Sequence, residues 1–342
     1  MRGSFASLLL VLTASWCPAI GSFTAFPIAT GSDQQYCPDV GYSTALGSYV
    51  VVWHGGVWPG PGPDIFGFDV SASSAFPICT HSGGQWRAHI SGNTVVWRDD
   101  RNGNDDIYGY DLSGGGEFEV SVDSRSEDCP DICGNTVVWA NNVSGYLYAR
   151  QLPGDEFTVR DGVGYLFLRP AISGNVAAWV EDSGLGEWVV CAADIADPGN
   201  IDRFEVGTNA VPTGQPAICG DIVVWEKNDG SLWVADIADP SDISEFEIVS
   251  DGAWPAISGN MVVWESDGSI WGADISDPGN ISPFEIASVG RFPAINGNVV
   301  AWEVSENNGD IYGAIIPEPF TLSLLTIGGL TLVRRRRRSR SS

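Results

Sequence analysis

Seven tryptophans recur along this chain at nearly even intervals, each closing the same ten-residue phrase. The phrase reads Pro-Ala-Ile-Ser-Gly-Asn-x-Val-Val-Trp, intact or lightly altered. Its tryptophans are Trp53, Trp97, Trp139, Trp179, Trp225, Trp264 and Trp302, spaced 38 to 46 residues apart. A period of that size marks an array of similar units, none large enough to bury its own apolar face.

The sixth unit shows what each contains. Pro255 to Ser258 reads as a short apolar strand, Gly259-Asn260 as a turn, and Met261 to Glu265 as a β-branched strand. A second turn precedes an alternating strand from Ile270 to Ile275. Asp277-Pro278-Gly279-Asn280 turns the chain again into Phe284-Glu285-Ile286. Four short antiparallel strands in about 40 residues are one blade of a β-propeller. No window sustains helical periodicity, and Gly or Pro interrupts nearly every ten residues. The expected fold is therefore all-β: a seven-bladed propeller over residues 22–316. A pair of β-sandwiches does not suit seven equal units.

Six units carry a Phe at the fourth strand: Phe76, Phe118, Phe157, Phe204, Phe246 and Phe284. The seventh unit stops after its third strand, Asp310 to Ile315. The absent piece stands at the other end of the chain, where Phe26-Pro27-Ile28 repeats Phe76-Pro77-Ile78. Residues 24–30 are thus expected to pair antiparallel with residues 310–316 and close the last blade. An outer strand tolerates Pro27, because the missing N–H faces solvent.

Both ends read as addresses. Arg2, an apolar run from Phe5 to Trp16 and Ala19-Ile20-Gly21 form the pattern of a cleaved signal peptide over residues 1–21. At the other end, residues 317–342 contain Pro317-Glu318-Pro319, an apolar segment from Phe320 to Val333, and an Arg cluster over 334–340. A helix of 14 residues spans about 21 Å, short of a roughly 30 Å hydrocarbon core. The arginines hold that end in the cytoplasm and leave the body outside. This tail resembles the PEP-CTERM sorting signal, with Pro317, Glu318, Pro319, Arg334, Arg335 and Arg336 at its motif positions. The resemblance implies an exosortase as processing partner, transient insertion in the inner membrane, and delivery to the cell surface or beyond.

The run Asp99-Asp100-Arg101-Asn102-Gly103-Asn104-Asp105-Asp106-Ile107-Tyr108, with the Ile-Ser-Gly-Asn and Val-Val-Trp elements, resembles the TolB-like propeller repeats of bacterial and archaeal surface proteins. The likeness covers roughly residues 23–316. It implies the fold, and such propellers bind many different things.

Charge excludes some partners. The chain carries a formal −26, although six arginines sit in its last nine residues. Between Ser22 and Ile316 there are ten basic and 42 acidic side chains, a body that repels nucleic acid and anionic lipid. No HExxH, GxSxG, P-loop or paired CxxC is present, and only three His occur. Cys133 and Cys219 stand where other units carry Ser91, Ser173 and Ser258, which reads as a small packed residue rather than half of a disulfide.

Two sets of residues depart from the repeat. The residue after the phrase's Pro, eight before each Trp, is Ala45, Ala171, Ala217, Ala256 and Ala294 in five units, but His89 and Asp131 in the second and third. The residue before that Pro is Ser43, Arg87, Cys129, Arg169, Gln215, Trp254 and Phe292 in turn. One such residue per blade would ring a mouth of the channel, mixing cation and aromatic as a sugar site does. Arg87, His89, Asp131, Arg169, Gln215, Trp254 and Phe292 are therefore the candidate ligand residues. No cofactor is expected apart from Ca2+. Asp99, Asp100, Asn102, Asn104 and Asp106 offer hard oxygens around a flexible Gly, the alternative being a solvated hairpin. These features favour a non-catalytic surface module for exopolysaccharide or protein. The alternative is an extracellular polysaccharide lyase or glycosidase. A His, Arg and carboxylate set clustered in one channel mouth would favour the enzyme.

Overall fold

The computed structural model describes residues 23–56, 62–141, 143–162, 169–305 and 309–316. The segments read above as a signal peptide, residues 1–21, and as a sorting tail, residues 317–342, lie outside these residues. Every element among the described residues is a strand, and no helix there is long and apolar enough to cross a membrane.

The strands form seven four-stranded antiparallel sheets. In the sixth they are Ala253–Ser258, Met261–Ser266, Ser269–Asp274 and Phe284–Ala287. The inner two join through Gly259-Asn260, where Ser258 pairs Met261. Gly259 has φ +58°, and glycine is the residue for the first central position of such a two-residue turn. Each sheet's inner strand packs on its neighbour's, and the first packs on the seventh, so the blades close a ring.

The last blade is built from both ends of the chain. Its strands are Arg291–Asn296, Val299–Val304 and Asp310–Ile315, with Phe26–Ala29 outermost. Phe26 pairs Gly313, Pro27 pairs Tyr312 and Ala29 pairs Ile311, antiparallel as the repeat requires.

The core lies between blades rather than within them. Trp97 packs against Val50, Val52, Ile65 and Ile78 of the preceding blade. Trp179 does the same with Val138, Leu147 and Val159, and Trp53 with Ile28, Ala301 and Ile311 of the seventh. The strand runs on past the tryptophan, to Gly56 in the first blade and Asp99 in the second. A second tie repeats at the turns. Ser91 Oγ accepts the Gly134 N–H of the next blade at 2.9 Å, and Ser173 and Ser258 do the same for Gly220 and Gly297. Cys133 and Cys219 take the same place with sulfur, 3.1 Å and 3.2 Å from Gly174 N and Gly259 N.

Candidate functional site: the central channel

The inner strands surround a cavity of about 480 Å³ that touches all seven blades. Its mouth is shaped by a recurring distortion. In five blades the inner strand bulges just before its proline position, shifting register between Tyr36 and Asp39, Trp86 and His89, Asp128 and Asp131, Ala253 and Ala256, and Arg291 and Ala294. The bulged residues Cys37, Arg87, Cys129, Trp254 and Phe292 all have φ between 49° and 56°. A non-glycine residue there costs roughly 1–2 kcal/mol, so the conformation is imposed by the fold. A bulge re-aims its side chain. In each of these five blades it turns one residue to the channel on a fixed backbone, whatever its type.

The structure gathers every candidate ligand residue into this cavity: Arg87, His89, Asp131, Arg169, Gln215, Trp254 and Phe292. It corrects the first blade. Ser43 and Ala45 are not at these positions; Cys37 and Asp39 are. Asp39 pairs Val52 as Asp131 pairs Val138, whereas Ser43 pairs Ser48 four residues further along an overhanging hairpin. That overhang leans on the second blade, where Asn93 Oδ1 accepts from Ser43 Oγ at 2.9 Å and from Ala45 N at 3.0 Å.

With Asp39 in place, the first three blades form a polar sector. His89 Nδ1 lies 3.6 Å from Asp39 Oδ2 and 3.4 Å from Asp131 Oδ1. Asp39 Oδ2 accepts the Ile90 N–H at 2.8 Å, and Asp131 Oδ2 the Ile172 N–H at 2.8 Å, so each carboxylate also ties its blade to the next. Burial pushes both carboxyls above the usual carboxylate range, against the opposing pull of His89. Above them, Arg87 contacts the Cys129 sulfur and reaches Asp128 at 3.7 Å. His54 Nδ1 accepts the Arg87 N–H at 3.4 Å; burial, then Arg87 and Arg98, lower its pKa to about 3. Cys37 stays a thiol, its pKa raised to about 11 chiefly by burial.

The other four blades supply a different wall. Ala171, Ala217, Ala256 and Ala294 stand where His89 and the two aspartates stand opposite. Over them, Arg169 lies 5.4 Å above the Trp254 ring, and Trp254 meets Phe292 edge-on at 4.8 Å. An apolar wall facing a few convergent polar groups is the usual build of a ligand site.

The second set of candidates lies away from the channel. Asp99 is buried and takes N–H groups from Trp97 at 2.9 Å and Arg101 at 2.8 Å. Asp100 Oδ1 accepts from Gly84 N at 2.7 Å. Asn102 and Asn104 both donate to Asp106, at 2.8 Å and 2.9 Å. Sequence reasoning overlooked Glu127 beside them. It is fully buried, neither of its oxygens accepts a hydrogen bond, and burial first, then Asp123, pushes its carboxyl up to about 8. The folded protein therefore holds a proton here that the unfolded chain, titrating near 4.5, releases. Stability is expected to fall as pH rises between those two values. Urea unfolding at pH 5 and pH 8 in chelator checks this: Glu127→Gln should make the decline shallower. An identical decline in both proteins would place the cause elsewhere.

No family model matches the chain, and no curated protein matches it. Among solved structures, TolB from Acinetobacter baumannii aligns at 17% identity over 63% of this chain and 54% of its own, with a TM-score of 0.47. A prolyl endopeptidase aligns at 11% identity over 84% of this chain, with a TM-score of 0.59. This chain spans about half the length of both, covering 47% of the endopeptidase. An oligogalacturonate lyase from Vibrio parahaemolyticus aligns at 12% identity over 87% of this chain and 98% of its own, with a TM-score of 0.55. At these identities the likeness is one of fold.

Proposed function

We propose that this chain is an exported propeller, displayed at the cell surface or in the extracellular matrix, whose channel mouth binds an acidic glycan without turning it over. The observation that carries this reading is the mouth itself: one varied side chain per blade, with Arg169 over the Trp254 ring and Trp254 against Phe292. Aromatic faces suit the apolar faces of sugar rings, and guanidinium groups suit carboxylate or sulfate. Two of the nine arginines in this acidic body line this one cavity. Export and surface delivery rest on the two terminal signals, with an exosortase as the partner for the tail.

One observation favours a second reading. His89 between two carboxylates, with Arg87 and Arg169 in the same cavity, is the His, Arg and carboxylate cluster that an extracellular lyase would use. An Arg would neutralise a uronate carboxylate, and a basic group would take the neighbouring carbon-bound proton. The binding reading stands first because both carboxylates are already tied to main-chain N–H groups and to His89, as struts between blades.

A glycan array with the purified protein, followed by a turnover assay on its hits, separates the two. Binding is expected to acidic glycans, without release of unsaturated product. Arg169→Ala and Trp254→Ala should each weaken it roughly tenfold, about 1.4 kcal/mol. Binding indifferent to both variants would remove the channel as the site, and steady product formation would install the lyase.

A further inference from the structure

Residues 122–127 carry the chain from the outer strand of the second blade to the inner strand of the third. Where they meet the 100–105 hairpin, oxygen atoms crowd around one side chain. Asn104 Nδ2 lies 2.9 Å from Asp106 Oδ1, 2.6 Å from Arg125 O, 3.0 Å from Asp123 O and 3.5 Å from Asp105 O. An amide NH2 has two hydrogens, so it cannot satisfy all four. Glu127, whose N–H donates to that same Asp105 carbonyl at 2.8 Å, has no exposed surface and no hydrogen bond to either carboxylate oxygen. Arg125 Nε passes 3.3 Å from Glu127 Oε1 but is aligned on Asp123 Oδ2 at 2.7 Å. A buried carboxylate without donors is costly unless it takes up a proton or a cation.

We propose that this junction is a Ca2+ site. Its ligands are the Asp106 carboxylate, the main-chain carbonyls of Asp123 and Arg125, the Glu127 carboxylate, and Asn104 with its amide turned to present oxygen. An amide turned about its last bond exchanges N for O in place. Among the described residues no three His, Cys, Asp or Glu side chains form a metal group by themselves. The donors here are instead carbonyl, amide and carboxylate oxygens, the set that suits Ca2+ and not a transition metal. The site keeps Asn104 and Asp106 of the sequence-based candidate and leaves out Asp99 and Asp100, which other groups hold. Its role would be to pin the second blade to the third, and it does not depend on what the channel binds.

The groups around the Glu127 carboxyl are Asp123, Arg125, Asp106 and Glu156. Calorimetric titration of the full-length protein with CaCl2 at pH 7 should show saturable binding of one ion per chain. Glu127→Gln should weaken binding at least tenfold. Asn104→Ala should weaken binding while leaving the apo protein folded. MgCl2 should bind far more weakly. No Ca2+ heat, heat unchanged in both variants, or equal response to Mg2+ would each overturn the proposal.

Discussion

Removal of residues 22–31 is expected to unfold the entire ring rather than fray one end of it. Phe26–Ala29 is the outer strand of the seventh blade, paired with Asp310–Ile315. The Phe26 ring covers Gly313, where an added Cβ would meet it at 2.9 Å, as Phe118 covers Gly109 in the second blade. Ile28 is buried in the cluster that joins the seventh blade to Val40 and Trp53 of the first. Gly31 N–H donates to Asp310 Oδ1 at 3.2 Å. Burial of Ile28 and part of Phe26 stabilises by about 2–4 kcal/mol, against a typical total of about 5–15 kcal/mol. Deletion also exposes the edge of Asp310–Ile315 at the interface where the ring closes. Circular dichroism melting and limited proteolysis should show general loss of structure. A permuted chain carrying residues 22–31 after Ile316 should recover it, since the strand would reach the same place by a shorter path. A deletion variant melting like the parent would show that the closing strand contributes little.

Closure was legible because it is a matter of counting. Seven tryptophans, six following Phe strands and one Phe-Pro-Ile with no unit before it leave a single economical arrangement, and Phe26 does pair Gly313 as Phe118 pairs Gly109. The same counting misplaced the first blade. Eight residues before each Trp lies the channel position in blades two to seven, because their inner hairpins turn in two residues. Between Pro38 and Trp53 the hairpin is six residues longer than between Pro130 and Trp139, so counting from Trp53 lands on Ala45 in the overhang. The signal was present in another form: Pro38-Asp39-Val40 repeats Pro130-Asp131-Ile132. Counting forward from the proline would have placed Asp39 opposite His89.

The bulge and Glu127 were less accessible. A left-handed residue before the proline carries no residue-type signature, since Cys37, Arg87, Trp254 and Phe292 all adopt it. Glu127 reads in sequence as one more acid in the run Ser124-Arg125-Ser126-Glu127-Asp128. Only the packing of that loop against Asp105, whose carbonyl accepts the Glu127 N–H at 2.8 Å, withdraws it from solvent.

Trp97→Ala is expected to cost about 3–5 kcal/mol, the usual range for emptying a fully buried aromatic site. Trp97 has no exposed surface and fills the wedge between the first and second blades, against Val50, Val52, Ile65 and Ile78. It also stacks on Tyr108 at 6.5 Å and donates its Nε1–H to Asp99 Oδ2 at 2.9 Å. The polar loss is the smaller part, because Arg101 Nη2 still holds that oxygen at 2.6 Å. Trp97→Phe should therefore cost clearly less than Trp97→Ala. Trp225→Ala, at the interface of the fourth and fifth blades, should cost a similar amount, since Trp225 packs on Val190, Ala192 and Val206 in the same manner. If the cores lie between blades, opening one interface releases its neighbours. Each variant should then show a single urea transition, with its midpoint lowered and its slope unchanged. A lowered slope, or hydrogen exchange accelerated in the second blade alone, would mean that the blades unfold as separate units.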